Sequence, residues 1–98
     1  MKIAILGGDG FCGWPASLFL SDQGHEVAIV DNLSRRAIDA ELGAESLTPI
    51  ASIEERLAAW KEVSKKDISF ANIDIAQDYA GFVEFLRSFA PDAVVHFA

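Results

Sequence analysis

The chain has one cysteine, one tyrosine, one methionine and three prolines in 98 residues. The lone cysteine, Cys12, leaves no internal disulfide and no cysteine-based metal centre. Basic residues are also scarce: eight lysines and arginines stand against fifteen acids, for a net charge of −7. That balance argues against a general nucleic-acid binder, which needs a basic face. It leaves open a pyrophosphate held by local amides and one or two arginines. No apolar run approaches membrane-spanning length, and no membrane partner is expected. Met1-Lys2 leads straight into an apolar run that ends at Gly7, so no signal peptide is read and a soluble cytoplasmic protein is expected.

What the sequence does have is concentrated between Met1 and Asn32. Lys2 to Leu6 reads as a short apolar strand, and Gly7-Gly8-Asp9-Gly10-Phe11-Cys12-Gly13 follows at once. A helix is predicted from Phe11 to about Gln23, stopped by Gln23-Gly24, and a second strand runs from His25 to Val30 and stops at Asp31. Strand, glycine turn, helix, strand, acid is the order of a dinucleotide-binding unit. Gly7 allows the tight exit from the strand. Gly10 lets a pyrophosphate approach the backbone, and Gly13 lets the helix pack closely. The N–H groups near Gly10, Phe11 and Cys12 should point, unpaired, from the helix N-terminus toward the anion. The Asp31 carboxylate can accept hydrogen bonds from a ribose diol. The glycines fit two spacings, G-x-x-G-x-x-G through Gly7 and G-x-G-x-x-G through Gly8. Cys12, at a helix N-terminus, reads as a small residue beside the cofactor rather than a reactive thiol. Pro15 is tolerated only in a first turn, so the helix start should be displaced or loosened near Phe11.

A long excursion separates Asn32 from Lys66 and must carry structure of its own. A short helix is expected over Arg36 to Leu42, ending at Gly43, then an irregular stretch over Ser46 to Ala51. Ser52-Ile53-Glu54-Glu55 is a capping box, and the helix it opens carries Ile53, Leu57 and Trp60 on one stripe. Glu54, Lys61 and Glu62 read as its solvated face. Ile68 to Ala71 is a third strand. Asp78 should cap a helix to Phe89, whose Phe82, Phe85, Leu86 and Phe89 make a stripe read as core packing. Pro91 ends it, and Ala93 to Phe97 is a fourth strand.

Strands alternating with helices give an α/β fold: a Rossmann-like parallel sheet flanked by helices, four strands in the order 3-2-1-4, with the ligand at the switch between strands 1 and 4. A doubly wound sheet normally continues past such a fourth strand. Residues 1–98 are therefore expected to be the N-terminal part of an NAD(P)-binding Rossmann domain, with a helical insertion at about 33–66.

The residues resemble the extended short-chain dehydrogenase/reductase family, the nucleotide-sugar epimerases and dehydratases. The matching stretches are GGDGFCGW (Gly7 to Trp14), DNLSRR (Asp31 to Arg36), LGAESLTPIASIEERLAAW (Leu42 to Trp60) and VVHFA (Val94 to Ala98). The third matches an insertion that most nucleotide-sugar enzymes lack, and it points to the branch of sulfolipid biosynthesis that acts on UDP-glucose and sulfite. The resemblance implies tightly bound NAD and a 4-keto sugar intermediate. It implies that Gly7, Gly10, Phe11, Cys12 and Gly13 receive the pyrophosphate and that Asp31 holds the ribose. By the same resemblance, Asn32, Leu33, Ser34 and Arg35 line the adenosine end. Asp74 would accept from the adenine amino group, the Ile75 amide would face the ring, and Phe97 and Ala98 would lie beside the nicotinamide ribose. His96 reads as a core or supporting histidine. A homodimer would use regions outside these residues.

Arg35 and Arg36 could instead hold the 2′-phosphate of NADP, but Asp31 would repel it and pair with a free diol, so NAD is favoured. The family's catalytic Tyr-x-x-x-Lys is absent: Tyr79 is the only tyrosine, and Val83 lies four residues on. No catalytic residue and no metal ligand is therefore assigned. Two further readings stand beside the first, a non-catalytic NAD-binding module and a part of another nucleotide-sugar epimerase or dehydratase.

Overall fold

A computed structural model describes residues 1–34 and 51–97. Val27, Ala28, Ile29 and Val30 are all buried, so the strand they form, β2 (Glu26–Asp31), is covered on both faces. The same holds for Ile3 to Leu6 in β1 (Lys2–Leu6). These two strands are the centre of a four-stranded parallel sheet in the order β3-β2-β1-β4, with β3 at Ile68–Asn72 and β4 at Ala93–His96. The register brings Leu6 level with Val30 and His96, and Asp31 level with Asn72. The carboxyl ends of all four strands thus open on the same edge.

The helix after the glycine turn, α1, spans Gly13–Asp22. It starts two residues later than Phe11, for the reason Pro15 supplies. A helix begun at Phe11 would require an N–H from Pro15, whereas in third position none is needed. Trp14 N and Ala16 N, on either side, donate to the Gly10 and Cys12 carbonyls at 3.1 and 3.3 Å.

The helix of the insertion, α2 (Ile53–Ser64), belongs to the core. Ile53 is fully buried with Ile3, Ile5, Val27, Ile29 and Ile68, and Leu57 and Trp60 pack against that cluster beside Trp14 and Leu18 of α1. The indole N–H of Trp60 donates to the buried Ser21 hydroxyl at 2.9 Å, joining α2 to α1. Ser52 caps α2: its Oγ accepts from Glu55 N and donates to Glu55 Oε1, both at 3.2 Å. Glu55 thus reaches back to the hydroxyl of the cap. Glu54, Lys61 and Glu62 are exposed, as a solvated face requires.

The last helix, α3 (Tyr79–Phe89), is capped by Asp78 Oδ1, which accepts from Gly81 N at 3.0 Å. Right-handed crossovers that run first toward β2 and later toward β4 put α3 on the opposite face of the sheet from α1. Its aromatic stripe is less enclosed than the sequence suggests. No residue of α3 is buried, and Phe85 and Phe89 stack on each other with centroids 5.6 Å apart. β4 is an edge strand, with Val94 48% exposed, so the layer around this stripe is thinner than that around β1 and β2. The short helix expected over 36–42 and most of the stretch 46–51 lie outside the described residues.

Candidate functional site

Gly7 continues the β1 ladder for one step, its N–H donating to Val30 O at 2.8 Å, and then turns at φ 82°, a conformation natural only to glycine. Its carbonyl oxygen accepts from Gly10 N at 3.1 Å. The Gly10 amide is therefore used inside the turn and does not point outward as the sequence suggests. Among the described residues, the amides of Phe11 and Cys12 have no acceptor, and they stand where the unpaired donors of α1 gather. A Cβ on Gly13 would strike the Gly7 carbonyl, and one on Gly10 would stand 3.2 Å from the same oxygen. The turn can close this tightly only with glycine at these points.

The acid after β2 is firmly held. Asp31 Oδ1 accepts from Leu33 N at 2.7 Å, and Oδ2 accepts from Asp9 N at 3.0 Å. Each oxygen keeps a lone pair in a fixed direction, a preorganised acceptor pair. Leu33 has φ 58°, which brings its amide back onto Asp31 while its side chain packs on the core. Ser34 N donates to Asn32 Oδ1 at 3.0 Å.

Asn32 Nδ2 also donates to Asp74 Oδ2 at 3.2 Å, linking the segment after β2 to the segment after β3. Asp74 Oδ1 takes the amides of Ala76 and Gln77 at 3.0 and 3.1 Å. The Gln77 amide first, then Ala76 and the Asn32 side chain, hold the Asp74 carboxyl below the ordinary aspartate range. The carboxylate therefore serves as a turn cap and keeps Oδ2 toward Asn32.

These segments enclose a cavity of about 300 Å³ at the carboxyl ends of the strands. Of the residues singled out from sequence, Gly7, Gly10, Asp31, Asn32, Ser34, Ile75 and Phe97 line it. Phe11 and Cys12 are exposed at the start of α1, and Gly13 is buried beneath the turn. Asp74 stands behind Asn32. Arg35 and Ala98 lie outside the described residues. Asp31, Asn32 and Ser34 give one polar wall, and Leu6, Val30, Ile73, Ile75 and Phe97 an apolar one. A polar acceptor wall, an apolar slot and a glycine cradle fit a nucleotide: diol to carboxylate, base to slot, phosphate to amides.

Two residues of this region escape the sequence reading. Asp9 is 3% exposed and lines the cavity, and Arg56 of α2 reaches it with Nη1 3.3 Å from Oδ1. The signal was spacing: Arg56 follows Ile53 by three and precedes Trp60 by four, on the buried stripe of α2.

The model of the NAD dependent epimerase/dehydratase family matches residues 3–98. The chain is 47% identical over 96 residues to the chloroplastic UDP-sulfoquinovose synthase of Spinacia oleracea, covering 98% of this chain and 20% of that protein. It is 42% identical over 98 residues to the UDP-sulfoquinovose synthase of Sulfolobus acidocaldarius, covering all of this chain and 25% of that protein. It also matches the solved UDP-glucose-4-epimerase of Stenotrophomonas maltophila, which has bound NAD and formylated UDP-arabinopyranose. That match has a TM-score of 0.70 and 26% identity, covering all of this chain and 24% of the epimerase. The chain thus spans 20–25% of the length of these curated relatives. Among the described residues, no helix is long and apolar enough to cross a membrane, and no group of three or more metal-ligating side chains forms.

Proposed function

The chain belongs to the NAD dependent epimerase/dehydratase family, and from that premise we propose that it is the NAD-binding portion of a UDP-sulfoquinovose synthase, which converts UDP-glucose and sulfite to UDP-sulfoquinovose through a 4-keto intermediate. The observation that carries the cofactor part is Asp31, whose two oxygens are aimed by the Asp9 and Leu33 amides at the mouth of the glycine cradle. The substrate part rests on the likeness to the two synthases.

In this reading the Phe11 and Cys12 amides receive the pyrophosphate, and Gly7, Gly10 and Gly13 let it approach. Asp31 accepts from the ribose diol and selects NAD over NADP, because a 2′-phosphate would meet its charge. Asn32, Leu33, Ser34 and Arg35 border the adenosine. Asp74 and Ile75 meet the adenine, with Phe97 and Ala98 beside the nicotinamide ribose. The bound dinucleotide supplies reversible hydride transfer at the sugar C4. Residues 1–98 form the opening of the dinucleotide domain, with the 33–66 insertion built into it. Tyr79 and Val83 do not make the family's Tyr-x-x-x-Lys pair, so acid–base chemistry falls to residues outside this stretch.

Calorimetric titration of the full-length protein with NAD and NADP, followed by an assay of UDP-glucose consumption with and without sulfite, tests both parts. Preferential NAD uptake and sulfite-dependent turnover are expected. NAD uptake without turnover would leave a binding module. Turnover of UDP-glucose that ignores sulfite would assign another epimerase or dehydratase.

A further inference from the structure

We infer that Arg56 is a positioning residue for Asp31, acting through Asp9, and that the preference for a dinucleotide with a free 2′-hydroxyl therefore depends on α2. The inference rests on the cofactor reading above. Arg56 Nη1 lies 3.3 Å from Asp9 Oδ1 and 3.5 Å from the Asp9 carbonyl oxygen. Its guanidinium carbon sits 4.4 Å from the centroid of the Trp14 ring, a cation–π contact that holds the side chain beside α1. The Asp9 side chain is 4% exposed, so the ion pair is made inside the fold.

Asp9 is thus gripped at its carboxylate by Arg56, and its own amide gives the hydrogen that Asp31 Oδ2 accepts. A shift of Asp9 moves that amide, and with it one of the two bonds that aim Asp31. Arg56 itself does not line the cavity that Asp9 borders; it lines a separate hollow with Trp14, Leu18, Ala59 and Trp60. The ligand is therefore sensed across two intermediates, and α2 tunes the site without touching it.

The test is calorimetric titration of the full-length protein with NAD and NADP in four variants: Arg56→Met, Arg56→Lys, Asp31→Asn, and Arg56→Met combined with Asp31→Asn. Arg56→Met should weaken NAD by roughly tenfold, the loss of one charge-assisted contact, while NADP changes by less than about twofold. Arg56→Lys should recover part of the NAD affinity, keeping the charge but losing the planar guanidinium. In the Asp31→Asn background, Arg56→Met should add no further loss. If Arg56→Met unfolds because the Asp9 charge is left buried, Asp9→Asn combined with Arg56→Met removes that charge, and the same NAD-to-NADP comparison is made. Equal loss of both dinucleotides, or a full additional loss in the Asp31→Asn background, overturns the inference and leaves the cofactor reading intact. A wild-type protein that takes up no NAD overturns both.

Discussion

A Cβ on Gly8 would stand 2.5 Å from Cγ2 and 2.6 Å from Cγ1 of Ile29. The second glycine of the turn is therefore packed on the middle of β2, where Ile29 is fully buried. Gly8→Ala should destabilise the protein by about 1–3 kcal/mol through overpacking. Combined with Ile29→Ala, it should cost less than the two single changes together, because the new methyl fills space that the isoleucine vacates. Urea unfolding of the two single variants and the double variant measures this, and strict additivity would contradict the contact.

Asp31→Asn keeps one acceptor oxygen but turns an NH₂ toward either the Asp9 or the Leu33 amide, donor against donor. NAD affinity should fall by roughly tenfold or more, the range for losing hydrogen bonds to a charged group. The ratio of NADP to NAD affinity should rise, because the repelling charge is gone. Fluorescence or calorimetric titration with both dinucleotides reads the ratio.

Asp74 gives the fold a defined acid sensitivity. Its carboxyl is held below the ordinary aspartate range by the Gln77 and Ala76 amides and by Asn32, so its ionised form favours the folded state. That contribution is complete at neutral pH. It declines once the pH falls below the unfolded value of about 3.9, and it is gone below the lowered folded value. Asp74→Asn should therefore narrow its stability deficit against wild type as the pH drops through this window. Urea midpoints taken at a series of pH values would show it, and parallel curves would exclude it.

Trp60→Phe removes the indole N–H that donates to Ser21 Oγ at 2.9 Å and leaves that hydroxyl buried. A cost of about 1–2 kcal/mol is expected from the lost hydrogen bond and the unsatisfied group. Adding Ser21→Ala should recover part of it. Thermal or urea unfolding of the pair decides.

The strands and the glycine turn were legible because their signals are local. Short unbroken apolar runs mark β1 and β2, and glycines at fixed offsets mark the turn. The order 3-2-1-4 followed from reading the glycine turn and the acid after β2 as a dinucleotide-binding unit, whose strands take that order, and the likeness to a 4-epimerase with bound NAD agrees with it. The capping box at Ser52 and the cap at Asp78 were also readable, since each places an oxygen before an apolar periodic run. What escaped was non-local. Asp9 looks like a loop acid until Arg56, 47 residues on, is brought beside it. The Gly10 amide looks available until the turn folds it onto the Gly7 carbonyl. The α3 stripe looks like core because period reports which face is apolar, not how thick the layer above it is. The Arg36 to Leu42 helix falls outside the described residues.

The place of β1 in the sheet bears on how the chain reaches this state. Lys2 N donates to the Asp92 carboxylate across 90 residues, and β1 runs between β2 and β4. Of these four strands, the one earliest in sequence is the one whose second edge waits for the latest. Pairing β1 with β4 must therefore close a long loop, and long-range parallel pairings of this kind form slowly. Until Ala93–His96 pairs with it, β1 is held on one side only, whereas β2 already lies between β1 and β3, so the open edge of β1 is the exposed, aggregation-prone one.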